Sequence, residues 1–285
     1  AHPLARHTSF NIGGPAEFFV ESSAPVELLE NCQRRSIPYL LLGAGTNLLV
    51  HDDGVEGLVI RCVDREFRVS GERVYAAAGL KMLRLARASV ANNLTGLEWA
   101  IGVPGTVGGA VYQNAGCWEG QLSDVLIEAV GFTPGMGEQR WGAEQLALGY
   151  RTSALRLGRL RGSLVLGAWF QLFPGDGAVS RAQMARWVEQ RTASQPIQAK
   201  SCGSVFKNPP GDSAGRLVEA AGLKGASEGA AQVSRQHANF ILNTGGATAI
   251  QVDCLIRRIQ AVVVERFGVE LEPEVEWVGR WKHEV

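Results

Sequence analysis

The chain has 285 residues, room for two or three domains, and its 28 basic residues balance 28 acidic ones. Zero net charge and a pI of about 7.2 argue against nucleic acid or an anionic membrane surface as the main partner. The five cysteines, Cys32, Cys62, Cys117, Cys202 and Cys254, are scattered with no C-x-x-C pair, which fits a reducing compartment and excludes a zinc ribbon or disulfide scaffold. No signal-type apolar segment opens the chain, and no stretch approaches the roughly 20 apolar residues of a membrane helix. The expectation is a soluble, intracellular protein without a metal site. Its cations are mostly arginine, so an anionic ligand would meet forked guanidinium groups.

In chain order, a helix is predicted over Pro25–Arg35, with Pro25 suited to a first turn. Apolar runs at Tyr39–Leu42, around Leu48–Val50 and at Gly57–Cys62 predict strands, with a Gly-rich loop, Gly43-Ala44-Gly45, between the first two. That loop is not a dinucleotide fingerprint, because the third glycine position holds Leu48 and a strand rather than a helix follows. A strand over Arg73–Ala78 and a helix over about Met82–Asn92 come next.

Residues 96–116 carry six glycines: Gly96, Gly102, Gly105, Gly108, Gly109 and Gly116. Glycine costs backbone entropy and adds nothing to a core, so such density points to close approach of main chain to a bulky ligand. The intervening residues are apolar, which rules out a flexible linker. Ile101, Val103, Val107, Ala110 and Val111 are expected to be buried while main-chain N–H groups face phosphates. A Gly-rich turn between two strands stands as the plainer alternative. The run lacks the Gly-Lys-Ser/Thr ending of a phosphate loop.

Strands are predicted at Asp124–Phe132 and Leu164–Leu172, then a boundary at Pro174-Gly175-Asp176-Gly177 and an amphipathic helix over Ser180–Thr192. Thr248 and Gln251 form a capping box that opens a helix with Val252, Leu255, Ile259, Val262 and Val263 on its apolar face, closed by Gly268. The alternation of Val269, Leu271, Val275 and Trp277 with Glu270, Glu272, Glu274 and Glu276 predicts an edge strand with an acidic face, and Pro273 suits an edge.

Several separated motifs then converge. Thr8-Ser9-Phe10-Asn11-Ile12-Gly13-Gly14, Gly43-Ala44-Gly45-Thr46-Asn47-Leu48-Leu49 and Gly102-Val103-Pro104-Gly105-Thr106-Val107-Gly108-Gly109-Ala110 occur in that order. Gly149-Tyr150-Arg151-Thr152-Ser153, Cys202-Gly203-Ser204-Val205-Phe206-Lys207-Asn208-Pro209 and Leu271-Glu272-Pro273-Glu274-Val275 follow. The ensemble closely resembles the UDP-N-acetylenolpyruvoylglucosamine reductase family over nearly the whole chain, and looks like its shorter class, without a tyrosine-bearing lid.

The resemblance implies an α+β protein: a two-domain FAD-binding unit of the vanillyl-alcohol-oxidase-like type plus a C-terminal α+β substrate domain. Residues 1–59, rejoined by 270–285, and 60–175 would be the flavin-binding parts, and 178–269 the substrate-binding part. It implies bound FAD, NADPH as co-substrate and a UDP-sugar substrate, with no nucleic acid, membrane or obligate protein partner. Residues Gly43 to Leu48, Ile101, Gly102, Pro104, Gly105, Thr106, Gly108, Gly109, Ala110, Asn114, Gly116 and Arg151 would hold the cofactor.

Arg151 matches the family position that stabilises charge growing on the substrate carboxylate. Ser204 matches the proton donor, with help from Lys207 or neighbouring donors, and Glu274 the acid beside the reacting group. Tyr150, Arg191, Lys207, Asn208, His237 and Asn239 match substrate-contacting positions, His237 within a strand-like run from Val233 to Phe240. Two positions depart from the family: Glu276 stands where many members are basic, and Ser194 where a substrate-phosphate lysine is common. A different FAD oxidoreductase would share the glycine loops but not the Ser204 and Glu274 motifs. A non-catalytic flavin- or nucleotide-sugar-binding protein would have no need of those chemical residues.

Overall fold

Small residues set the geometry of the larger sheet. In the computed structural model, which describes residues 1–281, Ala76, Ala129 and Ala168 pair across three neighbouring strands and are fully buried. Those strands belong to a five-stranded antiparallel sheet in the order Gly137–Gly142, Leu126–Thr133, Leu164–Gln171, Arg73–Ala77, Phe67–Ser70. A column of alanines leaves room for helices to pack closely, and Leu85, Val107 and Val111 from the helices Met82–Ala91 and Val107–Gln113 fill it. In a separate cluster Tyr75 and Val130 pack with Trp169, and the Arg68 guanidinium lies 4.6 Å from the Tyr75 ring centroid.

The chain divides into two units. The first comprises Ala1–Phe19, Gly45–Val59 and Thr192–Val285, and the second, which holds the alanine-centred sheet, Val20–Ala44 and Ile60–Arg191. The strands Pro15–Ser22 and Val55–Cys62 begin in one and end in the other. Of the expected segment 270–285, residues 282–285 lie outside the described part.

In the first unit the predicted C-terminal helix runs over Ala249–Phe267. Thr248 and Gln251 close the capping box, Asp52 adds carboxylate bonds of 2.8 and 3.1 Å to the N–H groups of Ala249 and Ile250, and Gly268 ends the helix at φ +67°. Val252, Leu255, Ile259 and Val263 are fully buried, with Val262 packed at their edge. The helix shares its core with Phe10, Leu49, Phe206 and the helix Ala214–Ala220.

Most local expectations match to within a residue or two; four do not. The alternating run 269–277 is no continuous edge strand: among its residues only an isolated bridge at Pro273 and the start of the short strand Glu276–Val278 pair, the latter in parallel with Leu48–Val50. Backbone partners for this segment come from two different neighbours, so the pattern of polarity outruns the ladder. The Gly-rich run is not a turn between two strands but a 3-10 turn, Glu98–Gly102, followed by the helix Val107–Gln113. The helix expected over 180–192 spans Gly177–Ser194 and buries only Gly177, Ser180 and Met184, leaving Val179 and Val188 exposed. The residues around His237 form a tight connection between the strands Ala231–Val233 and Ile241–Asn243, not a strand.

Candidate functional site

In the first unit, two segments almost seventy residues apart in sequence meet around Ser204 and Glu274. Gly203, at φ +83°, turns the chain so that Phe206 lies opposite Pro273. The Lys207 N–H donates to the Glu272 carbonyl at 2.8 Å, and the Glu274 N–H donates to the Val205 carbonyl at 2.7 Å. Pro273 has no N–H to give, and this register asks none of it. The Ser204 hydroxyl makes no hydrogen bond among the described residues and is half-buried.

Side-chain amides fasten both segments from outside. Asn239, 4% exposed, accepts from the Phe206 N–H at 3.0 Å through Oδ1 and donates to the Phe206 carbonyl at 2.8 Å through Nδ2. Asn47 donates to the Glu274 carbonyl at 2.9 Å, while its own carbonyl accepts from the Glu276 N–H at 2.9 Å. Two of the four asparagines expected to contact ligands, Asn47 and Asn239, therefore direct amide groups to main chain.

The four acidic residues, alike in pattern, separate here. Glu270 and Glu272 are exposed, whereas Glu274 and Glu276 are half-buried. Burial, reinforced by the Glu274 charge, pushes the Cys202 thiol far above its ordinary range. Lys207, the expected helper of Ser204, places its ammonium 2.5 Å from the Glu272 carboxylate. Asn208 accepts from the Ala214 N–H at 3.1 Å. His237 accepts the Asn239 N–H at Nδ1, which leaves its proton on Nε2. Burial, helped by the Lys224 charge, lowers its pKa and favours that neutral form.

The glycines sort by what surrounds them. A Cβ at Gly45 would lie 1.9 Å from the His7 carbonyl oxygen, and its φ is +64°. Ser9 donates from its N–H to the Gly45 carbonyl and from its hydroxyl to that of Thr46, and Leu48 starts the next strand. In the second unit, a Cβ at Gly102 would meet the Trp118 ring, at Gly108 the Ala78 methyl and at Gly116 the Gly120 carbonyl. Gly109 differs: its nearest neighbour would be the Thr106 hydroxyl, 3.8 Å away. Several N–H groups expected to face a ligand are spent internally. Val107 donates to Leu80, Gly108 to Ala78 and Ala110 to Thr106, while Gly105 accepts from Met82. Ile101 is buried beside this run, which Pro104 enters.

Arg151 stands in the second unit at φ +53°, a strained conformation for an arginine. Its guanidinium reaches the Gly116 carbonyl at 2.6 Å and the Asn114 carbonyl at 3.5 Å, and lies 5.2 Å from the exposed Tyr150 ring. Asn114, buried and itself left-handed, donates to the Gly149 carbonyl at 2.9 Å and so holds the turn that carries Arg151. Arg191, in the last turn of its helix, places one guanidinium nitrogen 3.8 Å from Cys117 Sγ.

A recess missed from the sequence is lined by Gly43, Ala44 and Thr106 together with Arg61, Arg65 and Lys81. Arg61 and Arg65 stand at the end of one strand and just past it, and Lys81 comes after the next hairpin, a spacing that matches no known motif; the scarcity of lysine could have drawn attention to Lys81 alone. Among the described residues no His, Cys, Asp or Glu cluster could hold a metal ion, and no helix is long and apolar enough to cross a membrane.

Comparison with known proteins gives concordant results. A family model described as the C-terminal domain of UDP-N-acetylenolpyruvoylglucosamine reductase matches residues 195–278, and an FAD binding domain model matches residues 20–141. The UDP-N-acetylenolpyruvoylglucosamine reductase of Synechococcus sp. (strain RCC307) is 43% identical over 285 residues, covering 97% of this chain and 92% of that protein. That of Rubrobacter xylanophilus is 44% identical over 282 residues, covering 97% and 94%. The crystal structure of the Thermus caldophilus UDP-N-acetylenolpyruvylglucosamine reductase superposes with a TM-score of 0.83 at 36% identity, covering 97% of each chain.

Proposed function

The chain belongs to the UDP-N-acetylenolpyruvoylglucosamine reductase family, and from that premise we propose how its residues carry the reaction. It is an FAD oxidoreductase of peptidoglycan precursor synthesis, acting on the enolpyruvyl group of a UDP-sugar. The division of labour is ours: residues 1–59 with 270–285 and residues 60–175 bind flavin, and 178–269 bind the sugar nucleotide. A cytoplasmic setting, where nucleotide sugars are made, suits this work.

The residues present fit FAD. Gly109 leaves open the space a Cβ would fill, in a helix where nothing in the protein requires glycine and where glycine costs about 1 kcal/mol relative to alanine. The recess beside Gly43, Ala44 and Thr106 adds Arg65 and Lys81, cations of the kind a pyrophosphate needs, beside Arg61, which pairs with Glu21 at 2.7 Å. The loop Gly43–Leu48 and the segments carrying Ile101, Gly102, Pro104, Gly105, Gly108, Ala110, Asn114, Gly116 and Arg151 would hold the cofactor. When bound, FAD supplies the hydride carrier between NADPH and the enolpyruvyl double bond.

The protein's own part is proton delivery and charge stabilisation. Ser204 gives its proton to the carbon next to the substrate carboxylate, and solvent must then restore the hydroxyl. Glu274, one rung away, is the acid beside the reacting group and assists the intermediate, in which negative charge grows on that carboxylate. Arg151 adds guanidinium donors to the same charge, with its strained backbone fixed in advance by Asn114. Tyr150, Arg191, Asn208 and His237 remain proposed substrate contacts, His237 as a neutral Nε2 donor. Lys207 contributes as a pair with Glu272, not as a lone ammonium.

The observation that carries this reading is the backbone bonding that brings the segment of Ser204, whose hydroxyl is uncommitted among the described residues, against the segment of Glu274. Purified protein should be yellow, bleach with NADPH and regain colour when UDP-N-acetylglucosamine enolpyruvate is added. Colourless protein without extractable flavin would refute the proposal, and bleaching without recovery would remove the substrate assignment.

A further inference from the structure

The assignment of Ser204 and Glu274 makes the buried amide of Asn239 more than a packing detail. In the bridge between Phe206 and Pro273, the bonds are made by flanking residues, so Phe206 turns its own N–H and carbonyl the other way. Phe206 is 1% exposed, and those groups lie where water cannot satisfy them. The Asn239 carboxamide meets both, at 3.0 and 2.8 Å, and its backbone carbonyl accepts the Val205 N–H at 2.9 Å. A carboxamide carries one donor and one acceptor side by side, as the edge of a strand does. Asn239 thus stands in for a neighbouring strand along Val205–Phe206.

We propose that Asn239 is a positioning residue for the proton donor: it fixes the register of Val205–Phe206 against Glu272–Glu274, and hence where the Ser204 hydroxyl points, without touching substrate. The proposal rests on the reading of Ser204 as donor. It replaces the substrate contact that the sequence motif implies for Asn239. No side chain of similar size reproduces the pairing. Aspartate keeps the acceptor but sets a carboxylate oxygen against the Phe206 carbonyl, and alanine leaves both Phe206 groups unmet.

The test uses FAD-loaded Asn239→Asp and Asn239→Ala beside Ser204→Ala and the double variant Ser204→Ala/Asn239→Asp. Binding of the sugar nucleotide to the oxidised protein, followed by flavin absorbance, should stay within about twofold of the parent, as should flavin reduction by NADPH. Reoxidation by the sugar nucleotide should slow by at least ~10-fold, with a larger solvent deuterium isotope effect, because proton delivery is what loses alignment. The double variant should be no slower than Ser204→Ala alone, since a residue acting through Ser204 has nothing left to act on. Weaker binding at an unchanged rate would make Asn239 a substrate ligand and overturn the proposal. Additive losses, or failure of both Asn239 variants to fold with flavin, would make it a residue of the fold at large and equally overturn it. Parent-like Asn239→Asp beside a slow Ser204→Ala would sink the positioning role alone. Parent-like reoxidation by Ser204→Ala would remove the donor reading itself.

Discussion

Around Gly45 the glycine is demanded by the protein, whereas around Gly109 the protein demands nothing. At Gly45 the backbone is left-handed and the His7 carbonyl occupies the place of a Cβ. At Gly109 the backbone is helical and the nearest atom to a Cβ would be a hydroxyl 3.8 Å away. Both positions sit in motifs that read as flavin loops. The difference teaches that one loop is shaped by the chain's own N-terminal turn, while the other has a glycine that its own packing does not require.

The largest effect should come from breaking the first loop. Gly45→Val should cost more than about 4 kcal/mol and yield little folded protein, the strain and the overlap with His7 acting together. Gly109→Val should melt within about 3 °C of the parent, because helical backbone and open space accept the side chain. Its flavin-to-protein ratio should fall at least ~10-fold through collision with the cofactor. Denaturant unfolding and flavin absorbance measure the two. A folded Gly109→Val with full flavin would erase the distinction between the loops.

The first loop also reaches the acidic segment, since Asn47 holds the Glu274 carbonyl. Glu274→Gln should lower turnover by about 10²–10³ with folding preserved, the size expected when one electrostatic contact to a growing charge is lost. Glu270→Gln, on an exposed side chain, should leave turnover parent-like and stability within about 0.5 kcal/mol. If Glu272→Gln or Glu276→Gln slowed turnover and Glu274→Gln did not, the assignment along this segment would be wrong.

A smaller effect concerns the entrance to the second glycine region. Burial of Glu98 opposes its ionisation, but the hydroxyls of Ser180 and Thr95 and the Gly96 N–H hold the carboxylate, and together they bring its pKa below the ordinary value. A folded pKa below the unfolded one means this stabilisation is complete above about pH 5 and is lost as pH falls through the carboxylate range. Glu98→Gln should therefore cost about 1–3 kcal/mol at pH 7 and less near pH 3.5. Urea unfolding at the two pH values measures this, and a cost that grew on acidification would contradict the sign of the shift.

Much was legible locally. The Thr248 and Gln251 box, the 3.6-residue apolar spacing behind it and the glycine that ends it are near-neighbour effects, so that helix could be read from some twenty residues. The order of six motifs carried the family and with it the reaction, because chemistry constrains residue types wherever they lie in the chain. The failures share a different cause. The alternation from Val269 to Trp277 reported polarity faithfully, yet a strand exists only where a partner backbone is present, and those partners lie near Leu48 and Phe206.

Sequence by itself determined the caps of the Ala249–Phe267 helix, the three central strands of the larger sheet, the glycine loops and the family, from which the proposed chemical residues follow. Only tertiary structure decided which two of four similar glutamates are partly shielded, which glycine faces open space and whether Asn47 and Asn239 serve main chain. Only tertiary structure showed that Lys207 is tied to Glu272. The physical reason is separation along the chain. Asn47 meets Glu274 across 227 positions and Asn239 meets Phe206 across 33, and no local propensity specifies a hydrogen bond whose partner arrives only when the core closes.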